Sequence, residues 1–340
     1  MQHGKSIKRI VVALLMCSVA TFLLYWCFRQ INFDLFWQEL LRVNSALLIV
    51  GMAVVFTVVF SNAAQWRIFL NEKRRPPYRR LVKIVSISMM LANTVPWGHA
   101  AAVYLLGRIK KVGHTVALSV LTLDQLMGGL SKVIVYSAVI YWVPLPVWLT
   151  RAILVFIVGM CVLYVFLLVM AYRYRDASVL SAEKPRNLWQ RFLKIVTEWA
   201  HHLHAVRNVR AKFAGIGYAL LMRTAEALAI YCVQWAFGLQ LPLWSAWLLV
   251  TAINLATMVP VTPGNLGVYE ATVFYIYKYI GVEPTQAMTL AVFHHLVYLI
   301  PLVLPGYFLM IKSGIRVSRV LQQSPLAADP ASEQTAPIVL

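Results

Sequence analysis

The chain has 340 residues, of which 61% are hydrophobic and only 13% charged, whereas a soluble domain carries about a quarter charged residues. This balance excludes an ordinary soluble enzyme and points to an all-α polytopic membrane protein. The net charge of +19 does not read as nucleic-acid binding, because the basic residues fall between apolar runs, where they set topology and meet anionic headgroups.

Lys5, Lys8 and Arg9 precede a first apolar run, residues 10–28. No small-residue cleavage pattern follows, so the run is expected to remain as a span rather than leave as a signal peptide. Further apolar runs cover 45–70, 84–107, 115–143, 147–172, 213–238, 243–280 and 285–311. A simple span needs about 20 apolar residues to cross roughly 30 Å of hydrocarbon. Runs 84–107 and 243–280 are interrupted, so loop charge must decide their path. Arg74, Arg75, Arg79 and Arg80 precede the first, and Arg108, Lys110 and Lys111 follow it. Basic loops on both sides predict a hairpin that enters and leaves on the cytoplasmic side.

The connector 142–147 is uncharged and suits the outer side, while the basic stretch 173–212 returns to the cytoplasm. Neither 239–242 nor 281–285 holds a basic residue, so 243–280 is expected as a hairpin from the outer side. Lys312, Arg316 and Arg319 bring the end inside. The expected architecture has about six transmembrane helices plus two re-entrant broken-helix hairpins, in one membrane domain over 1–315. Repeats 45–143 and 213–311 run with inverted topology, because the single span 147–172 separates them. The expected location is a bacterial inner membrane, with both termini cytoplasmic.

Residues 187–206 place Leu188, Phe192, Ile195, Val196 and Trp199 on one helical face, as in an interfacial helix. The nearby His201, His202 and His204 lack a carboxylate or cysteine partner and read as solvated. The tail 322–340 reads as disordered. Cys17, Cys27, Cys161 and Cys232 have no ligand spacing, so neither a metal nor a cofactor is expected.

The stretch 254–270, NLATMVPVTPGNLGVYE, organises the chain. Pro260, Pro263, Gly264 and Gly267 interrupt the helix, and Asn254, Asn265 and Glu270 add polar groups. Broken backbone at membrane depth is tolerated only where it is buried in protein or lines a wet cavity. An earlier stretch, NTVPWGHAAAVY, echoes it with Asn93, Pro96, Gly98, His99 and Tyr104. Two interrupted segments in corresponding halves point to a transporter-like binding site. Ionisable groups deep in the spans are functional candidates by default, namely Asp124, Arg223, Glu226, His294 and His295, with Lys132 at comparable depth. The plainer alternative is that Arg223 and Glu226 only neutralise each other at i,i+3 spacing. Half-helices starting after Gly98 and Gly264 would aim free N–H groups at the midplane, ready for a phosphate.

The pattern P-x-x-P-G-x-L-G-x-x-E, formed by Pro260, Pro263, Gly264, Leu266, Gly267 and Glu270, resembles the lysylphosphatidylglycerol synthetase transmembrane region, a flippase-like family. The resemblance covers roughly residues 10–315. It implies a lipid-handling membrane domain with lipid translocation as its activity, and no counterpart of the synthetase members' aminoacyl-transferase domain is expected. Asn265 stands where members often have a second glycine. Tyr104 or a neighbour stands in place of an arginine after the first hairpin's glycine, and Asp124–Gln125 and His294–His295 stand where arginines are expected.

The expected function is therefore transport of an anionic phospholipid or polyprenyl-phosphate-linked lipid between leaflets. No phosphate-binding loop of the glycine-lysine-serine type accompanies it. Membrane lipids are the expected partners, with a lipid-synthesis enzyme as a further one, and nucleic acid is not among them. The alternatives are a membrane-embedded transferase, with Glu270 or His294 as general base, and a non-catalytic partner of a lipid-synthesis enzyme.

Overall fold

The computed structural model describes residues 16–314 except 24, 27, 28, 30, 31, 71, 96, 97, 110, 174–208 and 260. All regular structure among them is helical. An N-terminal helix, α1, is described over 16–23. It is followed by α2 (Phe33–Arg42), α3 (Ser45–Phe69), α4 (Tyr78–Thr94), α5 (His99–Gly107) and α6 (His114–Trp142). Then come α7 (Val147–Arg173), α8 (Val209–Ala236), α9 (Trp244–Ala256), α10 (Val268–Tyr279) and α11 (Pro284–Lys312). Among the described residues, five stretches are long and apolar enough to span a membrane: Ser45–Phe69, Val116–Trp142, Val147–Phe166, Arg210–Ala236 and Pro284–Lys312. The expected first span, 10–28, the interfacial helix 187–206 and the tail 322–340 fall partly or wholly outside the described residues.

Helix α3 starts where Asn44 caps it, its side-chain oxygen accepting from the N–H groups of Ala46 and Leu47 at 3.1 and 3.4 Å. Such a cap satisfies donors that the first turn leaves unpaired. Val55, Val59, Ala63 and Trp66 are buried along α3, which makes its most extensive contact with α8. Gln65 ties the two together, its Nε2 donating to the Gly215 carbonyl at 2.9 Å. In lipid, where apolar surface gains little by leaving the solvent, helices associate through close packing at small residues. Gly306 of α11 is such a point, since a Cβ there would lie 2.4 Å from Met90 Cβ and 2.5 Å from the Ser86 carbonyl oxygen of α4. Helix α7 sits at the periphery, with only 11% of its most apolar stretch buried.

Both interrupted runs break, although not at their apolar limits. The first begins earlier than hydropathy suggests, at Tyr78 directly after Pro77, and α4 ends at Thr94. The chain re-enters a helix at His99, and the nine-residue α5 packs back against α4. The second run divides into α9, a tip whose described residues are 257–259 and 261–267 and include a 3-10 turn, and α10. Helix α2 was not expected. Its signal lies in Phe33, Phe36, Trp37, Leu40 and Leu41 at helical spacing, after Asn32, whose side chain accepts from the Asp34 N–H at 3.1 Å.

Candidate functional site

The second break owes its shape to residues that tolerate left-handed backbone. Gly264, Asn265 and Gly267 have φ of 62°, 57° and 82°, a region closed to most side chains but open to glycine and accessible to asparagine. Thr262 braces this turn, its Oγ1 donating to the Leu266 carbonyl at 2.8 Å. The two breaks meet here: a Cβ on Gly264 would lie 2.9 Å from the Asn93 carbonyl oxygen near the end of α4. Only a glycine lets the two backbones come this close.

Beside this contact is a cavity of about 60 Å³. Asn93, Glu226, Asn254, Gly264, Asn265, His294 and His295 all line it, so residues expected from four separate segments converge. Arg223 stands directly behind, with Nη1 2.7 Å from Glu226 Oε2 and donating to Asn254 Oδ1 as well. Asn254 Nδ2 donates to the same Glu226 oxygen at 3.1 Å. Glu270 is also one layer back. Its Oε2 accepts the Gly267 N–H at 2.6 Å, and its Oε1 lies 2.7 Å from His295 Nδ1.

Other expected residues lie elsewhere. Gly267 approaches another helix closely, since a Cβ there would lie 2.6 Å from Leu23 Cβ of α1, and Glu270 takes its N–H. Pro263 is in the 3-10 turn at the tip without lining the cavity. Gly98 packs its backbone against α4. Tyr104 is buried between α5 and α6, accepting from Arg108 Nη1 at 2.6 Å and stacking near His114. Asp124 belongs to a separate polar group, accepting from Asn62 Nδ2 at 2.8 Å. Pro96 lies outside the described residues, and for His99 only the backbone at the start of α5 is described.

Two aromatic residues at the cavity escaped the sequence reading. Tyr269 stacks on His295, with ring centroids 4.3 Å apart and planes 9° from parallel. Tyr298 lines the cavity beside it. Both signals were present, because Tyr269 adjoins Glu270 and Tyr298 lies four residues after His294 on one helical face. Tyr277 also holds His294, hydroxyl to Nε2 at 2.6 Å. His294 Nδ1 and Asn265 Oδ1 are buried without a protein partner. Buried polar atoms are normally satisfied, and both of these residues line the cavity.

The model of the family described as lysylphosphatidylglycerol synthase TM region matches residues 10–306. A UPF0104 membrane protein of Methanothermobacter thermautotrophicus is 22% identical over 240 residues, which cover 64% of this chain and 71% of that protein.

Proposed function

This chain belongs to the lysylphosphatidylglycerol synthase transmembrane-region family, as a multi-pass membrane protein, and we propose that its cavity carries the headgroup of an anionic phospholipid or polyprenyl-phosphate lipid between leaflets. The observation that carries this reading is the meeting of the two helix breaks at one polar cavity, Gly264 against Asn93. Broken helices at membrane depth serve as binding sites because their backbone and polar side chains replace a headgroup's water.

The proposed path has six spans and two re-entrant hairpins in inverted repeats, one entering from the cytoplasm and the other from outside. Such hairpins would meet near the midplane, and separating either from the bundle would open the cavity to one side. Met258, Val259, Val261 and Leu266 are exposed around the second tip and suit contact with acyl chains. A second reading, a membrane-embedded transferase on a lipid headgroup, draws on the Glu270–His295 pair, because an acid–base pair within hydrogen-bond reach is what such chemistry needs.

Vesicles reconstituted with the protein and fluorescent phosphatidylglycerol test the proposal. Leaflet exchange faster than in empty vesicles supports it, whereas a chemically altered lipid without exchange favours the transferase. Single cysteines at Arg79 and Lys111 test the path. Both are expected to label from the cytoplasm, and opposite sides would rule out the first hairpin and the inverted repeat.

A further inference from the structure

Glu270 and His295 form a buried pair with side chains only 6% exposed. One carboxylate oxygen is committed to the Gly267 N–H and the other to His295 Nδ1. Tyr269 stacks on the imidazole and fixes its plane. Because His295 also lines the cavity, its Nε2 is the atom left to exchange a proton with the cavity. With the ring neutral the pair carries one net negative charge, and a proton on the ring cancels it.

Arg223 is paired with Glu226, and Lys132 of α6 lies within electrostatic reach of both members of that pair, while Asp124 is held by Asn62. Among the described residues, the further titratable neighbours are His294 and Tyr298 on α11 and Tyr269 and Tyr277 on α10. Asn93 from α4, Asn254 from α9 and Leu23 from α1 bring no charge.

We propose that His295 and Glu270 form a proton-binding site that sets the affinity of the cavity for an anionic headgroup, so that proton and lipid enter together. This rests on the reading that the cavity receives such a headgroup. An uncompensated charge is costly in a low-dielectric interior. A neutral ring therefore leaves a negative site that repels a phosphate, while a protonated ring leaves a neutral site and offers Nε2–H as a donor. The proton passes from cavity water to Nε2, the Nδ1–H stays shared with Glu270 Oε1, and Gly267 keeps its bond to Oε2 throughout. Linkage makes the effect reciprocal: the anion must favour proton uptake as much as the proton favours the anion.

The test measures affinity for phosphatidylglycerol and phosphatidylcholine between about pH 5 and 9, with the full chain in nanodiscs. Once the pair is deprotonated, phosphatidylglycerol affinity should fall by up to about tenfold per pH unit, the limit for one linked proton. Phosphatidylcholine affinity should stay flat, and proton uptake per phosphatidylglycerol bound should rise from zero toward one over the pH range where the affinity falls. The two substitutions should act in opposite directions. Glu270→Gln keeps an oxygen for the Gly267 N–H and removes the negative charge, so binding should be tighter than wild type at high pH. His295→Gln removes the Nε2–H donor and the base beside the carboxylate, so binding should be weaker than wild type at low pH. A flat wild-type profile, or both variants shifting alike, overturns the proposal while leaving lipid transfer standing. Failure of phosphatidylglycerol to bind at any pH overturns both. Dimethyl phosphate, the same anion without acyl chains, should compete weakly, and equal competition would overturn the lipid assignment.

Discussion

At the break between α4 and α5, the chain turns by packing. Gly98 keeps an ordinary φ of −55°, yet a Cβ there would fall 1.9 Å from the Leu91 carbonyl oxygen. Asn93 and Thr94 turn their side chains back onto the Met89 and Met90 carbonyls, each at 2.8 Å. At the break between α9 and α10, the chain turns through left-handed backbone at Gly264, Asn265 and Gly267. There the polar side chains reach other helices, Asn254 to Glu226 and Glu270 to His295. At the first break Asn93 and Thr94 thus bond back within α4, and the close fit of Gly98 makes it a wall. The second draws its partners from α8 and α11, which couples its shape to the groups around the cavity. Similar interruptions in sequence therefore carry different roles.

The largest effect expected from this contrast is at the wall. Gly98→Val places side-chain atoms inside the backbone of α4, which should cost more than about 4 kcal/mol, a size reserved for severe core disruption. Loss of the monodisperse species on size exclusion would check it, and a normally folded variant would show that the first tip is looser than its packing implies.

Next is Glu226→Ala, which leaves Arg223 without its carboxylate at a mostly buried position. Stranding one member of a buried pair costs about 3–5 kcal/mol. Arg223→Ala/Glu226→Ala should recover most of that stability in thermal unfolding while lipid exchange stays lost. Recovery of exchange as well would reduce the pair to mutual neutralisation.

Gly267→Ala should be milder, at about 1–3 kcal/mol, through a strained φ and contact with Leu23. Because the neighbour is α1, a cysteine at Ala20 should label faster in this variant. Unchanged labelling would separate the second tip from α1.

The smallest stability effect should be Asn265→Gly, within about 0.5 kcal/mol, since glycine tolerates the same backbone. Its phosphatidylglycerol affinity should nevertheless fall, because Asn265 brings an unpartnered polar atom to the cavity. Equal affinity would move recognition away from this tip.

Much of the architecture was legible from short-range chemistry. Hydropathy, proline and glycine act locally, and they located the long apolar helices and the two interruptions and singled out Glu226, His294 and His295, which are buried. The proline-glycine motif also carried the family resemblance. What one residue faces depends on how helices rotate against one another, and that depends on packing between distant segments. Only the tertiary structure could therefore bring Gly264 against Asn93, give Glu270 to His295 and the Gly267 N–H, and turn Tyr104 and Asp124 away from the cavity. Gly267 is the clearest instance: in the sequence it reads as a helix interruption, and packing decided that the group it meets is Leu23 of α1.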